Sequence, residues 1–444
     1  MFEDQYNAGK ALRNTTPRSA QANWKLPKGR PTVLQMINSS NYDRLPELIP
    51  VRHFRMSKSP FVFYRGTASF MAHDLSALPT SGLTVQACGD CHLMNFGGFA
   101  TPERHLVVDI NDFDETNPGP WEWDVKRLAA SFILAAREKG MGESSANDIV
   151  AELMSSYAGK LNEFATMKLI DLWHVRFDLE QIAQQSKEER VKERLAKAIT
   201  KAHKVTHDHV FYKITSNVLG QYQISEQPPL IQRPVNVDES IDMIHTFLDH
   251  YKSTLQPDRK LLLDQYQLID LALKVVGVGS VGTRCYVLLL LNDNKEPLLI
   301  QVKEARESVL APYTGASPYR HFGERVVQGQ RQIQAASDIF LGWATGPAGR
   351  HFYFRQLRDK KMTPDIESYD KYLLTAYARL CGGILARAHC KTGIGAKLCG
   401  YIGKGDAFGK AISRFATAYA DQTEKDFEAF IKAIKAGKLP IEAT

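Results

Sequence analysis

The stretch ACGDCHLMNFG (87–97) holds an aspartate and, five positions later, an asparagine: Asp90 and Asn95. Phosphoryl transfer needs a carboxylate that orients the attacking hydroxyl and oxygen ligands for Mg²⁺, and this spacing suits both tasks. The same residues contain Cys88, Cys91 and His92, which fit the C-x-x-C-H pattern of covalent haem attachment, a redox dithiol or half a zinc site. The rest of the chain has to separate these alternatives.

The cysteine chemistry finds little support elsewhere in the sequence. The polar N-terminus lacks the apolar stretch of a secretory signal, so we expect a cytoplasmic protein with reduced thiols, which disfavours haem attachment. Gly97 and Gly98 oppose the helix that a thioredoxin-like motif requires. The remaining candidates for zinc ligands match no usual spacing: Cys381, His389, Cys390 and Cys399. We therefore predict that Cys88 and Cys91 are buried structural residues and that His92 braces the loop.

Composition narrows the class of partner. The chain has 444 residues, with 56 basic and 49 acidic side chains and a net charge of +7. This mild excess suits an anionic small ligand such as a nucleotide, and because no run of five Lys or Arg occurs, we expect no nucleic acid. The longest apolar run, CYVLLLL (285–291), is too short to span a bilayer, so we expect no membrane partner.

A second set of oxygen ligands follows the apolar segment HLVVDI. Asp112 comes 22 residues after Asp90, and the surrounding turn concentrates four carboxylates in seven residues: Asp109, Asp112, Asp114 and Glu115. Such a group repels itself unless a cation, an arginine or a lysine neutralises it. We predict that Asn95 and Asp112 bind Mg²⁺, with Asp114 as a further candidate ligand; a solvated acidic turn is the alternative.

A glycine loop lies far along the chain, where Gly277, Gly279 and Gly282 spell G-x-G-x-x-G. A strand pattern follows it, and no lysine follows the last glycine, so neither a dinucleotide-binding nor a Walker A context is met. The remaining interpretation is a kinase-like hairpin that covers nucleotide phosphates. Lys303, in the apolar strand LIQVKEA, would then be the phosphate-binding lysine, and Glu324 its partner on the following helix. An edge-strand lysine facing solvent and a solvated glutamate are the alternatives.

The patterns of the remaining chain give four regions. Residues 1–60 carry several prolines and predict an irregular extension, after which FVFYRG (61–66) has the composition of a strand. Residues 61–264 are mostly helical and contain both acidic loops, residues 265–360 form a β-rich glycine-loop lobe of five strands and one helix, and residues 361–444 are helical again.

Several stretches resemble known families. GDCHLMN resembles the GDLHPGN catalytic loop of aminoglycoside and choline kinases. The chain as a whole resembles the bacterial family called domain of unknown function 2252, through FYRGTASFMAHDL, DINDFDETNPGPWEWDVKRLAASF, GERVVQGQRQIQAASDIFLGW, FRQLRDKK, LARAH and DAFGKAISRFATAYADQ. This resemblance covers roughly residues 50–425 and implies a protein-kinase-like fold without naming a substrate. The stretch HCKTGIGAKLCGYIG departs from the HARSGD that the family usually carries, which leaves its role open.

The parts follow the order of a kinase chain that has been cut just before its catalytic loop, with the original N- and C-termini joined. Folds tolerate such a circular permutation when the original termini lie close together. We therefore expect an α+β, two-lobed, circularly permuted kinase-like fold and an ATP- and Mg²⁺-dependent phosphotransferase acting on an unidentified hydroxyl. Asp90 would orient that hydroxyl. The N-terminal extension with Arg65 is a candidate to close over the site, and an ordinary surface arginine is the alternative. A nucleotidyl transferase and a nucleotide-binding regulatory module are the alternatives. The sequence leaves the acceptor and the oligomeric state open.

Overall fold

A computed structural model describes residues 2–443 except 205–206, 219, 234–240, 276 and 358–359. Its α-helices are α1 Phe2–Ala11, α2 Val33–Ser40, α3 Ile49–Met56, α4 Pro60–Arg65, α5 Ala68–Ser76, α6 Trp121–Glu138, α7 Glu143–Ala165, α8 Leu169–His174, α9 Leu179–Gln185, α10 Glu189–Lys204, α11 His207–Ile214, α12 Ile241–Ser253, α13 Pro257–Leu263, α14 Ala311–Thr314, α15 Phe322–Ile333, α16 Lys371–His389, α17 Gly395–Ile402 and α18 Asp406–Lys435. Its strands are β1 Thr84–Ala87, β2 Phe96–Ala100, β3 Leu106–Ile110, β4 Asn117–Pro120, β5 Thr215–Val218, β6 Gln221–Ile224, β7 Ile231–Gln232, β8 Gln267–Lys274, β9 Cys285–Leu291, β10 Pro297–Glu304, β11 Gly342–Thr345 and β12 His351–Gln356. The mixed α+β class predicted from the sequence is confirmed.

The larger sheet is antiparallel and has the strand order β11-β12-β10-β9-β8-β7. Five of these strands come from the predicted β-rich region, and the short β7 adds a sixth strand from outside it. The apolar residues of β9 and β10 alternate between the two faces, so both faces need cover. Helices α12 and α13 cover one face, while α11 and β6 cover the other.

Helices α11, α12 and α13 therefore belong with the sheet, which corrects their predicted place in the helical region 61–264. Phe211 and Ile214 of α11 pack with Val287 and Leu289, and Tyr251 of α12 stacks on the sheet. The prediction was wrong here because helical periodicity shows that a segment has an apolar face, but not which surface covers that face.

The largest apolar core joins helices from both ends of the chain. Trp121 of α6 packs against Tyr157 of α7 and Phe408 of α18, and α16 lies along α7. Helix α6 is buried on nearly every side, including its charged residues Asp124 and Arg127. Buried charges are costly unless they are paired or hydrogen-bonded, which marks α6 as a helix with specific polar partners.

Residues 1–60, predicted to be irregular, contain α1, α2 and α3, and 61–66 form part of a helix instead of a strand. Two of the prolines, Pro50 and Pro60, occupy the first turns of α3 and α4, where the missing N–H costs no helical hydrogen bond. Helix α1 crosses α17 so closely that a Cβ on Gly400 would lie 1.9 Å from the Tyr6 carbonyl oxygen. Proline is therefore compatible with a helix start, and the prediction that residues 1–60 are irregular was wrong.

In the part of the chain that the structure describes, we find no helix with the length and apolar character required to cross a membrane.

Candidate active site

The loop between β1 and β2 holds Asp90 in a fixed place. Gly89 has φ +83° and lies so near the acidic turn that a Cβ would stand 2.1 Å from the Glu115 carbonyl oxygen. The Asp124 carboxylate accepts the backbone N–H groups of Cys88 and Gly89 at 2.8 and 3.0 Å. Glycine is needed here because its backbone adopts a left-handed conformation without steric cost. Helix α6 therefore fixes the entry to the loop through Asp124.

Asp90 itself is held by Arg127, which follows Asp124 by three residues on α6. The Arg127 Nε donates to Asp90 Oδ1 at 2.6 Å, and Arg127 is almost wholly buried. Burial raises the pKa of the Asp90 carboxyl, and the nearby Arg127 guanidinium opposes that rise. The second oxygen, Oδ2, lies 3.8 Å from the His92 Nε2, and burial holds the pKa of His92 well below its usual range. His92 is therefore a neutral neighbour of the loop.

Asn95 is tied to Asp90 through its side-chain nitrogen. Its Nδ2 donates to the Asp90 carbonyl oxygen at 2.7 Å, which ties the two ends of the loop together. Because the nitrogen is engaged, the amide oxygen is the atom that Asn95 offers to a cation. Asp90 and Asn95 line one cavity of about 1150 Å³ together with Asp112, Asp114 and Glu115.

The carboxylates of the acidic turn have different partners, and the partner of each carboxylate indicates its role. Asp109 is buried in an ion pair with Arg387 of α16 at 2.7 Å and is not a cavity residue. Asp114 pairs with Lys303, and Glu115 accepts the N–H of Val309 at 2.8 Å. Asp112 lines the cavity without an ion pair among the residues that the structure describes, and burial raises its pKa, as does the nearby Asp114. Asp112 is the carboxylate of this turn best placed to bind a cation.

Lys303 on β10 reaches the acidic turn from the sheet. Its Nζ lies 2.5 Å from Asp114 Oδ2, and the Tyr353 hydroxyl of the adjacent strand donates to Asp114 Oδ1 at 2.6 Å. Burial alone would raise the pKa of Asp114, but Lys303 and the Tyr353 hydroxyl hold it at about 2. Residues 189 positions apart thus form a buried ion pair where the sheet meets the acidic turn.

The structure does not bring Glu324 to Lys303, so the predicted pair is wrong. Glu324 lies in the first turn of α15, and its backbone N–H donates to His321 Nδ1. The next residue, Arg325, faces the site instead and donates to the carbonyl oxygen of Asp114 at 2.8 Å. Consecutive residues of a helix point in directions about 100° apart, so when Arg325 faces the site, Glu324 faces away from it. Asp114 takes the place that the prediction gave to Glu324.

The glycine loop forms part of the cavity wall through Gly277, Gly279 and Ser280. Gly277 and Gly282 have φ of +64° and +87°, so both need the conformational freedom of glycine. Gly282 is not among the cavity-lining residues, and its carbonyl oxygen accepts the Leu45 N–H at 2.8 Å. The Ser280 hydroxyl donates to Asp114 Oδ2 at 3.1 Å and connects the loop to the acidic turn.

The N-terminal region holds the glycine loop from outside. The Arg55 guanidinium donates to the Gly277 carbonyl oxygen at 2.7 Å, and the Arg44 guanidinium donates to the Val281 carbonyl oxygen at 2.5 Å. Arg65, the residue predicted as a candidate to close over the site, also lines the cavity. Residues between 31 and 66 thus contribute to the cavity wall.

Cys88 and Cys91 are buried beside the site. The two thiols and a carboxylate oxygen of Asp124 lie within 4.8 Å of one another, which is close enough for a shared metal ion. Both oxygens of Asp124, however, already accept backbone N–H groups of the loop. Burial raises the pKa of Cys91 to about 11 and that of Cys88 well above its usual range, so both thiols are protonated at neutral pH. Protonated thiols are poor metal ligands.

We predict that the purified protein carries neither haem nor stoichiometric zinc at this pair. Metal analysis should give well under one zinc per chain, and the absorption spectrum should lack a Soret band. The Cys88→Ser and Cys91→Ser double variant should keep the same metal content as the wild type. Stoichiometric zinc that leaves only when a chelator unfolds the wild-type protein would contradict this prediction.

Some residues of the site were not predicted from the sequence, among them Arg127, Tyr353 and Ser280. No role was predicted for Arg127, which follows Lys126 in α6. The signal that was available is the concentration of Glu122, Asp124, Lys126 and Arg127 in a helix that follows the acidic turn within a few residues. Tyr353 and Ser280 carry no comparable signal, because tyrosine in a strand and serine in a glycine loop are ordinary.

An antiparallel sheet that supplies a buried lysine to an acidic turn, next to a glycine loop, defines this protein as an α+β protein with a cleft lined by acidic and basic side chains. The chain matches the family described as "Uncharacterized protein conserved in bacteria (DUF2252)" over residues 44–433, so it belongs to that family. The family indicated by the sequence motifs is thereby confirmed. No curated protein and no solved structure matches the chain. The roles of the site residues therefore rest on their geometry.

Proposed function

We propose that this protein is an ATP- and Mg²⁺-dependent phosphotransferase with a circularly permuted kinase-like fold. The observation that supports this most is the contact between Lys303 and Asp114. It joins β10, the second strand after the glycine loop, to the turn that carries Asp112. Asp112 and Asp114 line the cavity that Asp90 and Asn95 also line, and Lys303 lies buried behind Asp114 and is not a cavity-lining residue. These are the parts that phosphoryl transfer requires, and four separate stretches of sequence supply them.

The connectivity supports the permutation. In a kinase the helix after the small sheet leads directly into the catalytic loop. Here the last residue of α16, His389, lies 3.5 Å from Asp124 Oδ2, and Asp124 binds the backbone at Cys88 and Gly89, where the catalytic loop begins. The end of α16 and the start of the loop are neighbours in space although about 300 residues separate them in the sequence. A cut at this point explains why the catalytic parts come first.

The residues present fit a Mg²⁺ ion. Asn95 offers an amide oxygen and Asp112 a carboxylate without an ion pair, and Mg²⁺ prefers such oxygen ligands. Bound there with nucleotide phosphates, Mg²⁺ supplies charge neutralisation for the transferred group. Asp114, whose two oxygens already hold Lys303, Tyr353 and Ser280, acts as the partner that positions the lysine.

In the proposed reaction the acceptor hydroxyl attacks the γ-phosphorus of ATP. An oxygen–phosphorus bond forms to the acceptor, the bond to the β-phosphate oxygen breaks, and ADP leaves. Asp90 accepts the hydroxyl proton, with Arg127 fixing the carboxylate in place. Lys303 binds phosphate oxygens, and backbone N–H groups of the loop at Gly277 and Gly279 bind the same anion.

We expect ATP to stabilise the protein against heat in the presence of Mg²⁺. At ATP one hundredfold above its dissociation constant, mass action gives about 2.7 kcal/mol. For a chain of this length this corresponds to a rise in Tm of about 3 °C. Differential scanning fluorimetry with ATP and GTP, each with Mg²⁺, with Mn²⁺ and with EDTA, measures it. If neither nucleotide shifts the Tm with any metal, the proposed function is wrong.

A further inference from the structure

Three arginines lie together at the N-terminal side of the cavity: Arg44, Arg52 and Arg306, here called the arginine cluster. All three line the cavity and bind the same short turn after α2. Arg44 Nε donates to the Ser40 carbonyl oxygen at 2.8 Å, Arg52 Nη1 donates to Asn41 Oδ1 at 2.7 Å, and Arg306 donates to the Tyr42 carbonyl oxygen. Because the three acceptors are consecutive residues, the guanidinium groups must be close neighbours.

Arg52 is the buried member of the cluster, Arg44 and Arg306 are half-buried, and the carboxylates nearest to Arg44 are those of Glu115, Glu304 and Asp114. Within the described part of the chain, none of the three forms an ion pair with a carboxylate, whereas nearby Arg350 pairs with Asp43. Arg52 is 1% exposed, and its Nε has no hydrogen-bond partner. Burial and, next, the neighbouring Arg306 lower the pKa of Arg44 to about 10, while Glu115, Glu304 and Asp114 oppose that change. Three neighbouring guanidinium groups repel one another, and Arg52 is buried without a directly paired carboxylate in the described part of the chain, so an anionic ligand would stabilise this arrangement.

The cluster is connected to Asp90 through the C-terminal turn of α4. Arg52 Nη2 donates to the Gly66 carbonyl oxygen at 3.0 Å. Two residues earlier, the Tyr64 carbonyl oxygen accepts Nη2 of Arg127, the residue that holds Asp90. Arg52 of the cluster and Arg127, the partner of Asp90, therefore bind two carbonyl oxygens of the same turn. This places the cluster and Asp90 on the same side of the cavity.

We propose that the arginine cluster binds a phosphate group of the acceptor, so that the substrate is a phosphorylated small molecule with a free hydroxyl. This inference rests on the proposed function. Three guanidinium groups match a dianionic phosphate better than a carboxylate, because each planar group can donate two hydrogen bonds to tetrahedral oxygens. The nucleotide phosphates have their own partners in Lys303 and the glycine loop, so the cluster is available to the second substrate.

Binding of inorganic phosphate tests this inference. Isothermal titration calorimetry on the full chain should detect phosphate binding that persists when a non-hydrolysable ATP analogue and Mg²⁺ are saturating. Arg306→Gln should weaken phosphate binding about tenfold or more and leave the analogue's affinity unchanged, because one charge-assisted contact is lost. Arg52→Lys, which keeps the charge and loses the fork, should weaken it as well. Arg137→Gln, at an exposed ion pair with Asp421, is the matched control and should change neither affinity.

The other outcomes overturn the inference in distinguishable ways. If the analogue displaces phosphate competitively, the cluster binds the nucleotide. If acetate or succinate binds more tightly than phosphate, the acceptor carries a carboxylate. If phosphate does not bind while the analogue does, the cluster is structural and the proposed function stands. If the analogue fails to bind but phosphate binds and Arg306→Gln abolishes it, the anion site is real and the proposed function fails.

Discussion

Asp90→Asn should lower turnover by about 10² to 10⁴-fold while leaving the ATP-dependent rise in Tm intact. The carboxylate accepts a proton only during the chemical step, so it contributes to the transition state and little to nucleotide binding. The asparagine oxygen can still accept the hydrogen bond from Arg127, which avoids an unpaired buried guanidinium. Asp90→Ala should show the same loss of turnover with a lower starting Tm. Slow hydrolysis of ATP by water, measured as ADP release, is the readout while the acceptor is unidentified.

Asp421→Asn provides the matched control, since Asp421 is exposed and paired only with a surface arginine. Its activity should equal that of the wild type. A variant Asp90→Asn that hydrolyses ATP at the wild-type rate would show that Asp90 is not the base. If the wild type binds ATP yet neither hydrolyses nor transfers it under any condition, the alternative of a nucleotide-binding regulatory module replaces the enzyme.

Sequence spacing was informative where chemistry restricts residue types. Asp90, Asn95 and Asp112 stand in a loop and a turn whose local spacing is set by the backbone, and the structure places all three at one cavity. Lys303 was conspicuous because a lysine in an apolar strand requires an anionic partner. The sequence could predict that such a partner exists, since the need arises from desolvation alone.

The identity of that partner could not be predicted in the same way. Glu324 has the expected separation from Lys303, but the choice between Glu324 and Arg325 depends on the rotation of α15 about its axis. A Cβ on the neighbouring Gly323 would lie 2.2 Å from the Phe352 carbonyl oxygen, so this face of the helix must press against the sheet. Such close packing is a tertiary contact, and no local pattern in the sequence reports it.

The N-terminal region was misjudged for a related reason. Its prolines and polar residues are compatible with an irregular segment, and its helices are short enough to be marginal alone. They form because α1 packs on α17 and because Arg44 and Arg55 bind carbonyl groups of the glycine loop. These partners lie more than 200 residues away, so the structure of this region is a property of the whole fold.

The second large effect is expected at the nucleotide. Lys303→Ala should weaken ATP binding about 10- to 100-fold with or without Mg²⁺, because it removes a charge-assisted contact to the phosphates. Asp112→Ala should abolish only the part of the binding that needs Mg²⁺. Lys160→Ala, which removes an exposed lysine paired with Glu163, is the control and should bind ATP as the wild type does.

The size of the shift makes the lysine experiment decisive. If the dissociation constant rises 100-fold at an unchanged ATP concentration, the ligand equals its new dissociation constant and stabilises by only about 0.4 kcal/mol. The wild-type rise of about 3 °C then falls below 1 °C. Because Lys303→Ala also leaves Asp114 without its cation, the Tm of the free variant should fall, and each variant must be compared with itself with and without ATP. An undiminished rise in Lys303→Ala would place the nucleotide away from β10 and remove the main support for the kinase-like mechanism.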